Sequence, residues 1–116
     1  MFHETFRNDF SFEKRWNECN KILSKYPDRV PILVSPNIDI KIDRHKYLVP
    51  GDISLQQFSH ILRKRIDLQS TEAIFYYIGE EKVMPRFTDS MKELYNKYKG
   101  ADGYLILLIY KENTFG

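Results

Sequence analysis

The chain has 116 residues, long enough for one domain with its own apolar core and no metal or disulfide staple. Eighteen Lys and Arg stand against sixteen Asp and Glu, nine basic and seven acidic in residues 1–50 and nine of each in residues 51–116, a balance too even for a nucleic-acid stripe. The single cysteine, Cys19, excludes an internal disulfide and fits a reducing compartment, and no apolar run has membrane-spanning length or signal-peptide order, so a soluble intracellular domain is expected.

Phe2, Phe6 and Phe10 recur at spacing four and predict a short helix within residues 1–10. Over residues 12–26, Phe12, Trp16, Cys19, Ile22, Leu23 and Tyr26 share one helical face, while Lys14, Glu18, Lys21 and Lys25 point away. Ser11 is the candidate N-cap, Lys14 departs from the capping box, and Pro27 stops the helix. Two extended segments follow, residues 30–34 and 46–50, the second closed by Pro50, which suits the end of an edge strand. Between them residues 35–45 alternate Ile38, Ile40 and Ile42 with polar neighbours, and read either as a loop or as an irregular strand extension. Ser54 caps a helix over residues 54–66 with Leu55, Phe58, Ile61, Leu62 and Ile66 inward, and Gln57 completes a capping box. Residues 73–78 read as a strand, 79–82 as its turn and 83–85 as a short further strand. Met91, Leu94, Tyr95 and Tyr98 predict a helix over residues 90–98 with a stop at Lys99-Gly100, and Asp102-Gly103 leads into the apolar strand of residues 104–110. Each apolar face needs a cover, so a mixed sheet with packed helices, a β-grasp-like α+β domain, is the economical assembly.

Catalytic and metal chemistry find little to work with. His3, His45, His60 and Cys19 show none of the close spacings of a metal site, and Cys19 on an apolar face reads as a core thiol. Gly79, Gly100 and Gly103 are explained by turns, and Glu80-Glu81 at a hairpin tip read as solvated charges. No enzyme activity and no cofactor are expected. In residues 46–50, Tyr47 and Val49 face one way while Lys46, Leu48 and Pro50 face the other. Such a strand can accept an added strand from a partner, or it is an ordinary amphipathic strand whose basic flank, Arg44 to Lys46, protects the edge. The chain closes on Glu112-Asn113-Thr114-Phe115-Gly116, and an unbranched glycine carboxylate is a group that an acyl-transfer cascade can thread through a narrow channel and activate.

Several words of sequence, in order along nearly the whole chain, carry a resemblance. Phe12-Glu13-Lys14-Arg15, Lys25-Tyr26-Pro27-Asp28-Arg29-Val30-Pro31, Lys46-Tyr47-Leu48-Val49-Pro50, Gln57-Phe58 with Leu62-Arg63-Lys64-Arg65-Ile66, and Asp102-Gly103-Tyr104-Leu105 with the closing five residues resemble the autophagy ubiquitin-like modifiers. This is the family of the GABA-receptor-associated protein and microtubule-associated light chain 3. The resemblance implies an α+β fold, a ubiquitin-like β-grasp with two additional N-terminal helices. It implies one domain over residues 1–116, with residues 1–26 as the helical extension and 27–116 as the core.

It further implies that Gly116, preceded by Phe115, is exposed by a cysteine protease, activated with ATP, carried as a thioester and transferred by a conjugating enzyme to phosphatidylethanolamine. Autophagosome formation would be the setting. The chain would be cytoplasmic and monomeric when free and would lie on an autophagosome or related vesicle when lipidated. Glu18, Ile22, Pro31, Lys46, Leu48 and Tyr104 match the family's aromatic-accepting pocket; Tyr47, Val49, Pro50, Ile53, Phe58 and Ile61 match its aliphatic-accepting pocket. Adaptors and cargo receptors carrying an aromatic-x-x-aliphatic motif are the implied partners, with Arg29, Lys46 and Arg65 facing their acidic flank, at roughly 7 to 8 kcal/mol. The alternative is a soluble, unconjugated peptide-binding trafficking adaptor. A shorter segment at residues 35–43, a longer charged turn at 79–83, Phe87, and the Ile109-Tyr110 order depart from the family pattern and bear on partner preference.

Overall fold

The computed structural model describes residues 1–66 and 72–112. Along them run α1 Phe2–Asp9, α2 Phe12–Lys25, β1 Arg29–Pro36, β2 Lys46–Pro50, α3 Leu55–Arg63, β3 Ile74–Ile78, α4 Met91–Tyr98 and β4 Leu105–Lys111. The strands form a sheet of order β2-β1-β4-β3, in which β1 is antiparallel to β2 and parallel to β4, and β4 is antiparallel to β3.

The period of two along each strand separates two cores. On one face Val30, Ile32, Val34, Tyr47, Val49, Ile74, Tyr76, Ile78, Leu105, Leu107 and Ile109 pack with Phe58 and Leu62 of α3 and Met91, Leu94 and Tyr95 of α4. On the other, Leu33 and Tyr104 pack with Phe6 of α1 and Cys19 of α2. The inner strands β1 and β4 are therefore covered on both sides, which explains their nearly continuous apolar sequences. A β-grasp with two helices added to its second face is the result, as the resemblance implied.

Helix starts follow the side-chain chemistry. Ser11 Oγ accepts from the Lys14 N–H at 3.2 Å, and Ser90 Oγ from the Glu93 N–H at 3.1 Å. At α3 the capping box is complete: Ser54 Oγ accepts from the Gln57 N–H at 3.2 Å, and Gln57 Oε1 from the Ser54 N–H at 2.9 Å.

Four local expectations change. The face of α2 is covered only at its centre: Cys19 is buried, whereas Phe12, Trp16 and Tyr26 are 49%, 47% and 42% exposed. The helix touches the sheet through a short stretch, and its apolar stripe is longer than that contact. Helix α3 stops at Arg63, because Ile66 forms a bridge with Ile42 that requires extended backbone. Of residues 35–45, Ser35 and Pro36 complete β1 and the rest are loop apart from the bridge at Ile42, with Ile40 buried and Ile38 fully outward. Residues 83–85 are no strand: the left-handed φ values of Gly79 (+70°) and Lys82 (+54°) form the turn that brings Val83 back to a single bridge with Ile78, and no ladder continues from it. Glu80 in this turn pairs with Arg7 of α1, so only Glu81 keeps the role of a simple solvated charge.

Candidate functional site

Strand β2 lies at one end of the sheet, with β1 as its single strand neighbour. Val34 N–H donates to His45 O at 2.7 Å and Gly51 N–H to Asp28 O at 3.0 Å. These fix the alternation: residues 45, 47, 49 and 51 turn their main-chain groups toward β1, and Lys46 and Leu48 turn theirs to the open edge. The side chains alternate as well, with Tyr47 and Val49 buried, Leu48 half-buried, and Lys46 and Pro50 exposed.

On the α2 side of this strand, Glu18 is the hub. Its Oε1 accepts from Tyr104 Oη at 2.6 Å and from Lys46 Nζ at 2.9 Å. Burial opposes ionisation of this carboxyl, but the two hydrogen bonds and the Lys46 charge outweigh it and hold its pKa below the ordinary value. Tyr104 is driven the other way, first by burial and then by donating to Glu18, so it stays a neutral donor. The Lys46 ammonium also lies 4.8 Å from the Phe6 ring centroid and 5.8 Å from that of Phe10. Ile22 and Leu48 are half-buried in this region, and Pro31 and Tyr104 are buried.

On the α3 side, Tyr47 packs edge-to-face on the fully buried Phe58, with ring centroids 5.4 Å apart. Its hydroxyl is buried with no hydrogen-bond partner among the described residues, and burial raises its pKa. Ile53 is half-buried, Ile61 and Pro50 are exposed, and Arg65 pairs with Asp43 at 3.5 Å. The structure thus joins Glu18 and Lys46 on the α2 side of β2, with Ile22 one helical turn on from Glu18 and Leu48 two residues on from Lys46, and presents Pro50, Ile61 and Arg65 as exposed groups. Pro31, Tyr47, Val49, Phe58 and Tyr104 lie beneath as floor rather than as open walls. Arg29, at the start of β1, donates from Nη1 to Leu48 O at 3.3 Å. Phe115 and Gly116 lie outside the described residues.

Sequence reading missed four contributors. Asp43 holds Arg65; Phe6 and Phe10 flank Lys46; and His45, stacked on Phe2 at 3.7 Å, hydrogen-bonds through Nδ1 with Val34 O. The spacing of Phe2, Phe6 and Phe10 signalled an aromatic stripe on α1, but which strand residue it covers is decided by tertiary packing. Cys19, by contrast, is what a nucleophile is not: burial first, then the Asp102 and Glu18 carboxylates, push its thiol up to about 12. No group of three or more metal-ligating side chains occurs among the described residues, and no helix there is long and apolar enough to cross a membrane.

Residues 14–116 match the family described as autophagy protein Atg8, ubiquitin-like. The chain belongs to the Atg8 family. Autophagy-related protein 8 of Schizosaccharomyces pombe is 43% identical over 114 residues, covering 96% of this chain and 93% of that one. Autophagy-related protein 8h of Arabidopsis thaliana is 36% identical over 116 residues, covering 97% and 96%. Among solved structures, Trypanosoma brucei ATG8 matches with a TM-score of 0.85 and 35% identity over 96% of this chain and 97% of that one. Plasmodium falciparum Atg8, solved in complex with a Plasmodium falciparum Atg3 peptide, matches with a TM-score of 0.79 and 28% identity over 90% and 94%. The two solved relatives share this chain's fold, and Atg8 membership makes this chain an autophagy protein of the ubiquitin-like class.

Proposed function

We propose that this Atg8-family chain is a modifier conjugated through Gly116 to phosphatidylethanolamine, and that its β2 edge recruits cargo receptors and adaptors carrying aromatic-x-x-aliphatic motifs. The observation that carries the reading is the family match, which runs through residue 116 and so includes the closing Phe115-Gly116. The chemistry agrees. A modifier needs an unbranched acyl terminus and a stable fold, while the activating enzyme, the conjugating enzyme and the processing cysteine protease supply the catalytic groups. Two acyl chains on the lipid would hold an otherwise water-soluble domain at an autophagosome surface far more firmly than one.

The docking half of the reading is supported by the outward main-chain groups of Lys46 and Leu48, by the half-buried side chain of Leu48, and by the half-buried Ile22 one helical turn on from the Glu18 that pairs with Lys46. Strand addition supplies the main-chain hydrogen bonds, and side chains on either side of β2 supply selectivity. A peptide of the conjugating enzyme, of the kind held by the Plasmodium relative, is the first partner to try.

Reconstitution with activating enzyme, conjugating enzyme, ATP and phosphatidylethanolamine liposomes tests conjugation. The expected outcome is a lipid adduct, seen by gel shift and mass, that Gly116→Ala reduces at least about tenfold, as expected when an acyl group must pass a site shaped for glycine. Equal adduct from Gly116→Ala would refute the assignment of Gly116. Peptide binding without any adduct would instead favour an unconjugated adaptor.

A further inference from the structure

The open edge of β2 is not bare. Leu48 sits opposite Pro31 in the antiparallel register, at a position whose carbonyl points away from β1. Arg29 starts two pairs further along, opposite Pro50, and its guanidinium reaches diagonally over the strand to donate to that carbonyl at 3.3 Å. The guanidinium carbon lies 6.0 Å from the centroid of the Tyr26 ring, an aromatic face that helps to hold it there.

Two other cations of this edge already have carboxylate partners, Lys46 in Glu18 and Arg65 in Asp43. Among the described residues no carboxylate pairs with Arg29. Its partner is a neutral carbonyl, whereas a carboxylate would offer the guanidinium an opposite charge and two oxygens for a paired, two-bond contact. The same carbonyl is one of the acceptors that an added strand would use.

We propose that Arg29 is a built-in competitor at the docking edge and thereby sets partner specificity; the inference rests on the docking reading given above. In the free chain Arg29 occupies Leu48 O. A segment carrying an acidic side chain near its docking core draws the guanidinium onto its own carboxylate and releases the carbonyl for strand pairing. A segment with a neutral flank must displace Arg29 with nothing to replace its bond. The acidic preference therefore has two parts, attraction of the acid and exclusion of the neutral competitor, and the second is an example of selectivity by rejection.

Calorimetry with two peptides tests this, both with one aromatic-x-x-aliphatic core, one flanked by glutamates and the other by glutamines. They are titrated into the wild-type chain, Arg29→Met and Arg65→Met, each checked for folding by thermal unfolding. Methionine keeps an apolar stem at this exposed position and removes every donor. The neutral peptide is expected to bind Arg29→Met about two- to fivefold tighter than wild type, the range of one exposed hydrogen bond, while the acidic peptide binds it more weakly. Arg65→Met, which removes charge without uncapping Leu48, is expected to weaken the acidic peptide and leave the neutral one no tighter. Equal or weaker binding of the neutral peptide to Arg29→Met, with wild-type binding intact, overturns the competitor role alone. Failure of both peptides to bind folded wild-type chain overturns the docking reading and this inference with it.

Discussion

Gly103 has a φ of +97°, a region that side chains with a Cβ rarely adopt, and a Cβ built there would meet Cys19 Cβ at 2.8 Å. Its carbonyl accepts from Tyr95 Oη at 2.7 Å, and its neighbour Asp102 accepts from the Tyr104 N–H and pairs with Arg15 of α2. One residue thus lets α2 come down on the sheet while tying it to α4. Gly103→Ala combines backbone strain with a backbone-anchored clash and should cost about 2–4 kcal/mol of unfolding free energy in urea titration. Cys19 reports the same event: with its thiol pushed up to about 12 by burial, it should resist alkylation in the native chain and react faster in Gly103→Ala. A variant as stable and as unreactive as wild type would show that α2 tolerates displacement without loss.

At the scale of elements, α1 is the informative case. Eight residues are too few to hold a helix in water, so packing must do it. Phe6 enters the second core, Phe2 stacks on His45, Arg7 pairs with Glu80, and His3 meets Ser35 through its backbone N–H at 3.1 Å and its Nδ1 at 2.8 Å. Ser35 Oγ accepts from the backbone N–H and can give its own hydrogen to Nδ1, an arrangement that suits the neutral ring. Burial lowers the His3 pKa from 6.5, with Arg7, the N-terminus and Lys82 acting in the same direction and Glu4 alone opposing. The folded state then prefers the neutral form, so this contribution is complete above the unfolded value of 6.5 and is lost as pH falls from there through the depressed folded value. Acidification from about pH 7.5 to 5 should weaken the fold by on the order of 1 kcal/mol through this contact, and His3→Gln should flatten that part of the profile. Identical pH profiles of urea unfolding for the two chains would remove His3 from the account. Phe2 and Phe6 made the existence of α1 legible, because a stripe at spacing four needs no knowledge of its cover. The end of α3 was not legible, since Ile66 fits a helical face as well as it fits the bridge to Ile42, and only the distant partner decides.

For the whole molecule, the sequence showed where an open edge lies but not how deep its parts sit. Pro50 and the alternation of Tyr47, Leu48 and Val49 marked β2 as a strand at a sheet margin, whereas the depth of Pro31, Tyr104 and Phe58 depends on helices arriving from both ends of the chain. Charge pairing was equally hidden: Glu18 and Lys46 are 28 positions apart, and Asp43 and Arg65 are 22. Those pairs decide how the edge should respond to salt. With a net charge of only +2 and both Lys46 and Arg65 already paired at side chains more than a third exposed, attraction for an acidic partner rests mainly on exposed cations such as Arg29, whose single contacts salt screens and which are each worth little. Apolar contact with Leu48, Ile22 and their neighbours should then dominate. Raising salt from about 0.05 to 0.5 M should weaken an acidic-flanked peptide by no more than about tenfold, where a mainly electrostatic contact would lose far more. Titrating one peptide across salt concentrations, with folding followed in parallel, separates the two. Near-complete loss of binding by a folded chain would move the contact away from β2 and onto the basic surface of Arg63, Lys64 and Arg65 at the end of α3.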